Sequence, residues 1–116
     1  MRHRNSVKTL GRVKASREAL IEHVVTSLIL YERIHTTRAK AKAARSMAER
    51  LVHLGATNTL QTRRMLMKYL KTKGAIEKVL DVLGPKYATR TGGYLRMTAL
   101  GRRQGDNAEM VELSFV

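Results

Sequence analysis

Apolar residues recur at helical spacing through most of the chain and switch to strict alternation near its end. Leu20, Val24, Leu28 and Tyr31 are spaced 4, 4 and 3 apart, with Ile21 and Val25 widening the stripe, which predicts an amphipathic helix over 17–31. Ser16 is placed to cap that helix, with Glu18 in its first turn. Residues 33–36 (Arg-Ile-His-Thr) read as a short extended piece, and Thr36 or Thr37 as the cap of a second helix over 38–54. Met47, Ala48, Leu51 and Leu54 give that helix its packing stripe, and Gly55 is a natural stop. Asn58 or Thr59 caps a third helix over 59–71, carrying Leu60, Met67 and Leu70 with Arg63 and Arg64 outward, and the Met65-Leu66-Met67 cluster reads as core. A break at Lys71-Thr72-Lys73-Gly74 precedes a short fourth helix over 75–83.

The period then changes from about 3.6 to 2. Leu95, Met97 and Ala99 alternate with Arg96 and Thr98, and Val111, Leu113 and Phe115 alternate with Glu112 and Ser114. The connection from Gly101 to Asn107 is long for a tight hairpin and rich in turn formers. Two strands alone are marginal, so residues 33–36 are expected to supply a third. The predicted class is α+β: about four helices packed on a small mixed or antiparallel sheet of about three strands, with an extended basic N-terminal tail. Residues 1–15 are expected to form that extension and 16–116 a single domain.

Between the two periodicities lies GPKYATRTGGYLRM, Gly84 to Met97, holding the only proline, three glycines, two tyrosines and three cations. Pro85 lacks a backbone donor and is expected to end the helix ahead of it at Gly84. Gly92-Gly93 permits positive φ, or a close backbone approach. Taken alone, the segment is a helix-to-strand joint with solvated charges. Its pairing of cations with tyrosines also suits a grip on a polyanion.

Charge changes the picture most. The 116 residues contain 23 Lys and Arg against 9 Asp and Glu, a net charge of +14, and arginines outnumber lysines. A surface of this kind calls for a counter-charge, most often a nucleic acid, and arginine forks suit phosphate. Residues 1–17 carry Arg2, Arg4, Lys8, Arg12, Lys14 and Arg17 with His3 and no acid, and bury too little to fold alone. The second helix opens with Arg38, Lys40 and Lys42, where a helix dipole disfavours cations unless phosphates lie beside it. Lys86, Arg90 and Arg96 follow in the joint, then Arg102 and Arg103 in the hairpin loop.

Other chemistries find no footing. Without cysteine there is no disulfide, iron–sulfur cluster, thiol catalysis or zinc finger. The four histidines are scattered, with no HxxxH or HExxH spacing, and no GxGxxG or GxxxxGK[ST] loop occurs. Asp106, the one acid in the hairpin loop, reads as an Asx turn former. No apolar run reaches the roughly 18 residues of a membrane span, and the basic start lacks an apolar signal core, so a cytoplasmic protein without membrane partners, cofactor, metal or enzymatic activity is expected.

Several blocks in a fixed order resemble a known family. They are MRHR at the start, LGR at Leu10–Arg12, SREAL at Ser16–Leu20, and Ile34-His35-Thr36-Thr37 followed by Ala39-Lys40. The most specific are LGPKYATRTGGYLR at Leu83–Arg96 and GDNAEMVEL at Gly105–Leu113. Together they resemble the bacterial large-subunit ribosomal protein family numbered seventeen. Lys86 and Thr91 stand where many members have Arg and Pro, and Leu95 replaces a common Thr.

The resemblance implies a non-catalytic α+β protein that binds 23S ribosomal RNA on the outer surface of the large subunit near the peptide exit tunnel. It also implies a cytoplasmic ribosomal location, a monomer within the particle, and contact with neighbouring large-subunit proteins, including the one numbered thirty-two. The expected RNA contacts are Arg2, His3, Arg4, Lys8, Arg12, Lys14, Arg17, Arg38, Lys40, Lys42, Lys86, Arg90, Arg96, Arg102 and Arg103. On charge alone, an architectural DNA-binding protein of the nucleoid is the alternative.

Overall fold

The computed structural model describes His3 and residues 8–116. The first helix, α1 (Lys14–Tyr31), starts earlier than expected: Val13 is the residue ahead of it, Ser16 lies inside it, and no side chain caps it. Its buried face is also rotated from the expected stripe. Val25, Leu28 and Ile29 are fully buried whereas Tyr31 is 73% exposed. The run Val24–Leu30 is apolar on nearly every side, so spacing alone could not set the phase.

Glu32 takes a left-handed conformation (φ 64°) and turns the chain into β1 (Arg33–Thr37). Helix α2 (Arg38–Leu54) follows directly, with the bounds that the sequence predicts. Its Ala41, Ala44 and Ala48 are fully buried, so the alanines serve close packing between helices and sheet. Helix α3 (Leu60–Tyr69) is capped by Thr59, whose hydroxyl accepts a hydrogen bond from the Thr62 amide at 3.2 Å. Here the expected core is partly wrong. Thr62 and Leu66 are buried, while Leu60 and Met67 point outward.

Helix α4 (Lys73–Lys78) does not stop at Gly84. It passes into a π-helical turn (Val79–Leu83) and ends in a final turn (Gly84–Lys86), so these pieces form the fourth helical rod. In the wider turn the Gly84 amide donates to the Val79 carbonyl, five residues back. The expansion lets the helix run through Pro85, whose missing N–H would break a regular α ladder. Gly55 and Gly84 explain why the widening is placed here. A β-carbon on Gly84 would overlap the Gly55 carbonyl, and one on Gly55 would lie 2.5 Å from Val79 Cγ1. Gly55 ends α2 with right-handed backbone geometry (φ −69°), so it is needed for this crossing rather than for a left-handed cap.

Two strands complete the fold, β2 (Leu95–Arg102) and β3 (Glu109–Phe115). The sheet is fully antiparallel in the order β1-β3-β2, with a bulge between Ala99 and Gly101. Leu113, paired with Ile34 and Met97, and Val111, paired with Thr36 and Ala99, face the helices. The opposite face presents the rows Arg33–Ser114–Arg96 and His35–Glu112–Thr98. The α+β class with four helices and three strands therefore holds.

Candidate nucleic-acid interface

The joint after Pro85 is anchored by two buried tyrosines. Tyr87 and Tyr94 are 5% and 3% exposed, their ring centroids are 5.1 Å apart, and Tyr87 lies 6.1 Å from Phe115. The Tyr87 hydroxyl donates to the Val116 carbonyl, and the Tyr94 hydroxyl donates to the Arg90 carbonyl at 3.1 Å. The tyrosines are thus packing residues whose polar tips tie down the loop. Gly92 and Gly93 have φ of 152° and 65° with open space around them, so they are needed for backbone conformation rather than close approach.

Along this joint Lys86, Arg90 and Arg96 are all exposed, and none makes an ion pair among the described residues. Lys86 Nζ lies 5.2 Å from the Tyr87 ring centre. Arg96 occupies the outer row of the sheet with Ser114 between it and Arg33. Arg33 was not among the expected contacts. The strand register, which spacing does not reveal, sets it across Ser114 from Arg96, where Glu112 Oε1 holds it at 3.0 Å.

The other expected cations divide into two groups. Arg38 and Arg102 share one carboxylate, each 3.5 Å from Glu109, and Arg103 grips Asp106 at 2.6 Å. Asp106 also accepts from the Ala108 amide at 3.2 Å, the Asx geometry expected of it. The Arg103 hydrogen bond, followed by that amide, holds the Asp106 carboxyl down at about 2, and the same pair raises Arg103. Lys8, Arg12, Lys14, Arg17, Lys40 and Lys42 form the second group, which has no carboxylate partner among the described residues. Lys14 and Arg17 sit on the first turn of α1 rather than in a tail, and Lys40 and Lys42 on the first turns of α2. His3 is exposed, and Arg2 and Arg4 lie outside the described residues.

A crevice of about 390 Å³ separates α2 from the joint, lined by Ser46, Glu49, Arg50, His53, Thr91, Gly92 and Tyr94. Glu49 Oε1 is buried there without a hydrogen bond, its nearest cation being Arg45 Nε at a loose 3.5 Å. Arg50, exposed on the crevice wall, is a further cation absent from the expected set. Among the described residues no group of three or more His, Cys, Asp or Glu could hold a metal ion, and no helix is long and apolar enough to cross a membrane.

The pattern is a basic surface on which most of the expected cations have no carboxylate partner among the described residues. Comparison with known proteins gives the surface its setting. The Ribosomal protein L17 family matches residues 20–116. The chain belongs to that family. A large ribosomal subunit protein bL17 from Agrobacterium fabrum is 44% identical over 116 residues, covering all of this chain and 82% of the relative. The protein of that name from Dehalococcoides mccartyi is also 44% identical, covering all of this chain and 99% of the relative. One from Acidobacterium capsulatum is 43% identical over 109 residues, 94% of this chain and 68% of the relative. Membership of a ribosomal protein family makes the chain a structural component rather than an enzyme.

Proposed function

We propose that the chain is a structural constituent of the large ribosomal subunit that binds and stabilises 23S ribosomal RNA, cytoplasmic as part of the ribosome. The observation that carries this reading is the set of unpaired cations Lys86, Arg90 and Arg96, from the last helical turn through the loop to the start of β2, flanking two buried tyrosines. Family membership supports the ribosomal setting over the nucleoid alternative. The binding mechanism is charge neutralisation with shape complementarity: the folded part docks, and the cations of the basic stretch ahead of α1 meet phosphates. The primary contacts are Arg2, His3, Arg4, Lys8, Arg12, Lys14, Arg17, Lys40, Lys42, Lys86, Arg90 and Arg96. Arg38, Arg102 and Arg103, already held by carboxylates, contribute less. The proposed site is the subunit's outer surface near the peptide exit tunnel, where the chain sits as one copy beside neighbouring proteins, including the one numbered thirty-two.

The test compares the full chain with one lacking residues 1–12, which spares α1. Removing Arg2, Arg4, Lys8 and Arg12 flattens the dependence of log K on log[salt] by about 2.8–3.6 if each meets a phosphate. An unchanged slope removes the N-terminal stretch from the interface.

A further inference from the structure

Helix α3 carries Arg63, Arg64 and Lys68 and not one acid. None of the three makes an ion pair among the described residues, although seven of the nine acids are engaged with cations elsewhere. Arg63 and Arg64 lie in the first turns of the helix, where its dipole opposes positive charge. Leu60 and Met67 are 64% and 59% exposed beside them. Between α3 and α4 opens a groove of about 470 Å³, with Met67, Leu70 and Ile76 against Arg63, Lys71 and Lys73. This surface lies apart from the sheet. Helix α3 packs on α2 and α4, whereas the sheet packs on α1 and α2, so the helical layer stands between α3 and the strand that carries Arg96.

We infer that α3 is a second RNA-binding face, and that the protein bridges two RNA segments, one at the joint and one along α3. The inference rests on the RNA-binding reading proposed above and adds a site to it. A sugar–phosphate backbone along α3 places phosphates at Arg63, Arg64 and Lys68, and the anion relieves both the mutual repulsion of the cations and their conflict with the helix dipole. Leu60 and Met67 then meet ribose or base edges. RNA is favoured over an acidic protein segment because the same partner also neutralises the free cations of α1, α2 and the joint. One class of ligand accounts for them all.

The absence of cysteine allows a direct experiment, since any single cysteine introduced is unique. Gln61 is exposed on α3, on the same face as Arg64 and Lys68, and Thr91 is exposed in the joint. Full-length Gln61→Cys and Thr91→Cys chains, each carrying tethered iron–EDTA, are assembled into large subunits, and hydroxyl-radical cleavage of the 23S RNA is mapped. Two separate sets of cleaved nucleotides are expected. Cleavage from position 91 alone overturns the α3 face, and so does a position 61 probe that cuts only neighbouring protein. Overlapping cleavage from both positions overturns the bridge. Silence from both, in subunits shown to contain the protein, defeats the RNA-binding reading itself. In parallel, Arg63→Gln with Arg64→Gln flattens the salt slope by about 1.4–1.8 if both meet phosphate. An unchanged slope with intact helicity counts against the face.

Discussion

The carbonyl of Gly55 occupies the space that a β-carbon on Gly84 would need. Two backbones meet there without an intervening side chain, which fixes how the π-helical turn crosses the end of α2. Gly84→Ala must push the rods apart in a closely packed region that includes fully buried Val79 and Leu83. The expected cost is about 2 kcal/mol or more, a fall in melting temperature of roughly 8 °C. Thermal unfolding followed by circular dichroism reads this directly, and an unshifted midpoint refutes the close crossing.

Free and paired cations should differ in their effect on RNA affinity. Replacing Lys86, Arg90 and Arg96 together by Gln is expected to flatten the salt slope by about 2.1–2.7. Replacing Arg102 and Arg103 by Gln should change it by less than half as much, because Glu109 and Asp106 already hold those guanidinium groups. Filter binding across a salt series tests the contrast. Equal slopes per cation removed would mean that the carboxylates release their arginines on binding.

The Arg103–Asp106 pair sets a pH prediction. Because the folded carboxyl titrates at about 2, below its ordinary 3.8, the pair stabilises the hairpin loop fully above about pH 4. That contribution is lost as the pH falls from about 4 through about 2. Carboxyl-carbon NMR should place the Asp106 midpoint near 2 and, in Arg103→Gln, move it back toward 3.8. A midpoint already at the ordinary value in the unsubstituted protein would show that the pair does not form in solution.

Tyr87→Phe keeps the ring packing against Tyr94 and Phe115 and removes only the hydroxyl that donates to Val116. The expected loss is about 1 kcal/mol. Tyr87→Ala should cost about 3–5 kcal/mol, as for truncation of other large buried aromatics. Urea unfolding separates the two variants. Equal losses would mean that the hydroxyl, and not the ring, anchors the joint.

Much of the fold is legible along the chain because its signals are local. Helix α2 is bounded by Thr37 and Gly55, and β3 alternates without interruption. What escaped reading depends on partners distant in sequence. Pro85 promised a helix end, but the π-helical turn ahead of it absorbs the missing donor. Leu60 and Met67 fit a packing stripe by spacing, yet Thr62 and Leu66 face the core instead. The same holds for the site. Arg38, Arg102 and Arg103 look as free as Lys86, Arg90 and Arg96 until folding brings Glu109 and Asp106 against them. Arg33 becomes Arg96's neighbour only through Ser114.

The central strand, β3, is the last of the three in sequence, and β1 and β2 are neighbours only through it. On the ribosome that synthesises it, the nascent chain has all its helical segments before it has any sheet. Closing β1 onto β3 joins Arg33 to Ser114 across most of the chain's length, the kind of distant pairing that slows folding. An interrupted chain ending before Glu109 therefore lacks the whole sheet, not one strand of it. Arg33 and Arg96 take their places on either side of Ser114 only once β3 has been made, so this face of the basic surface is assembled after every helix.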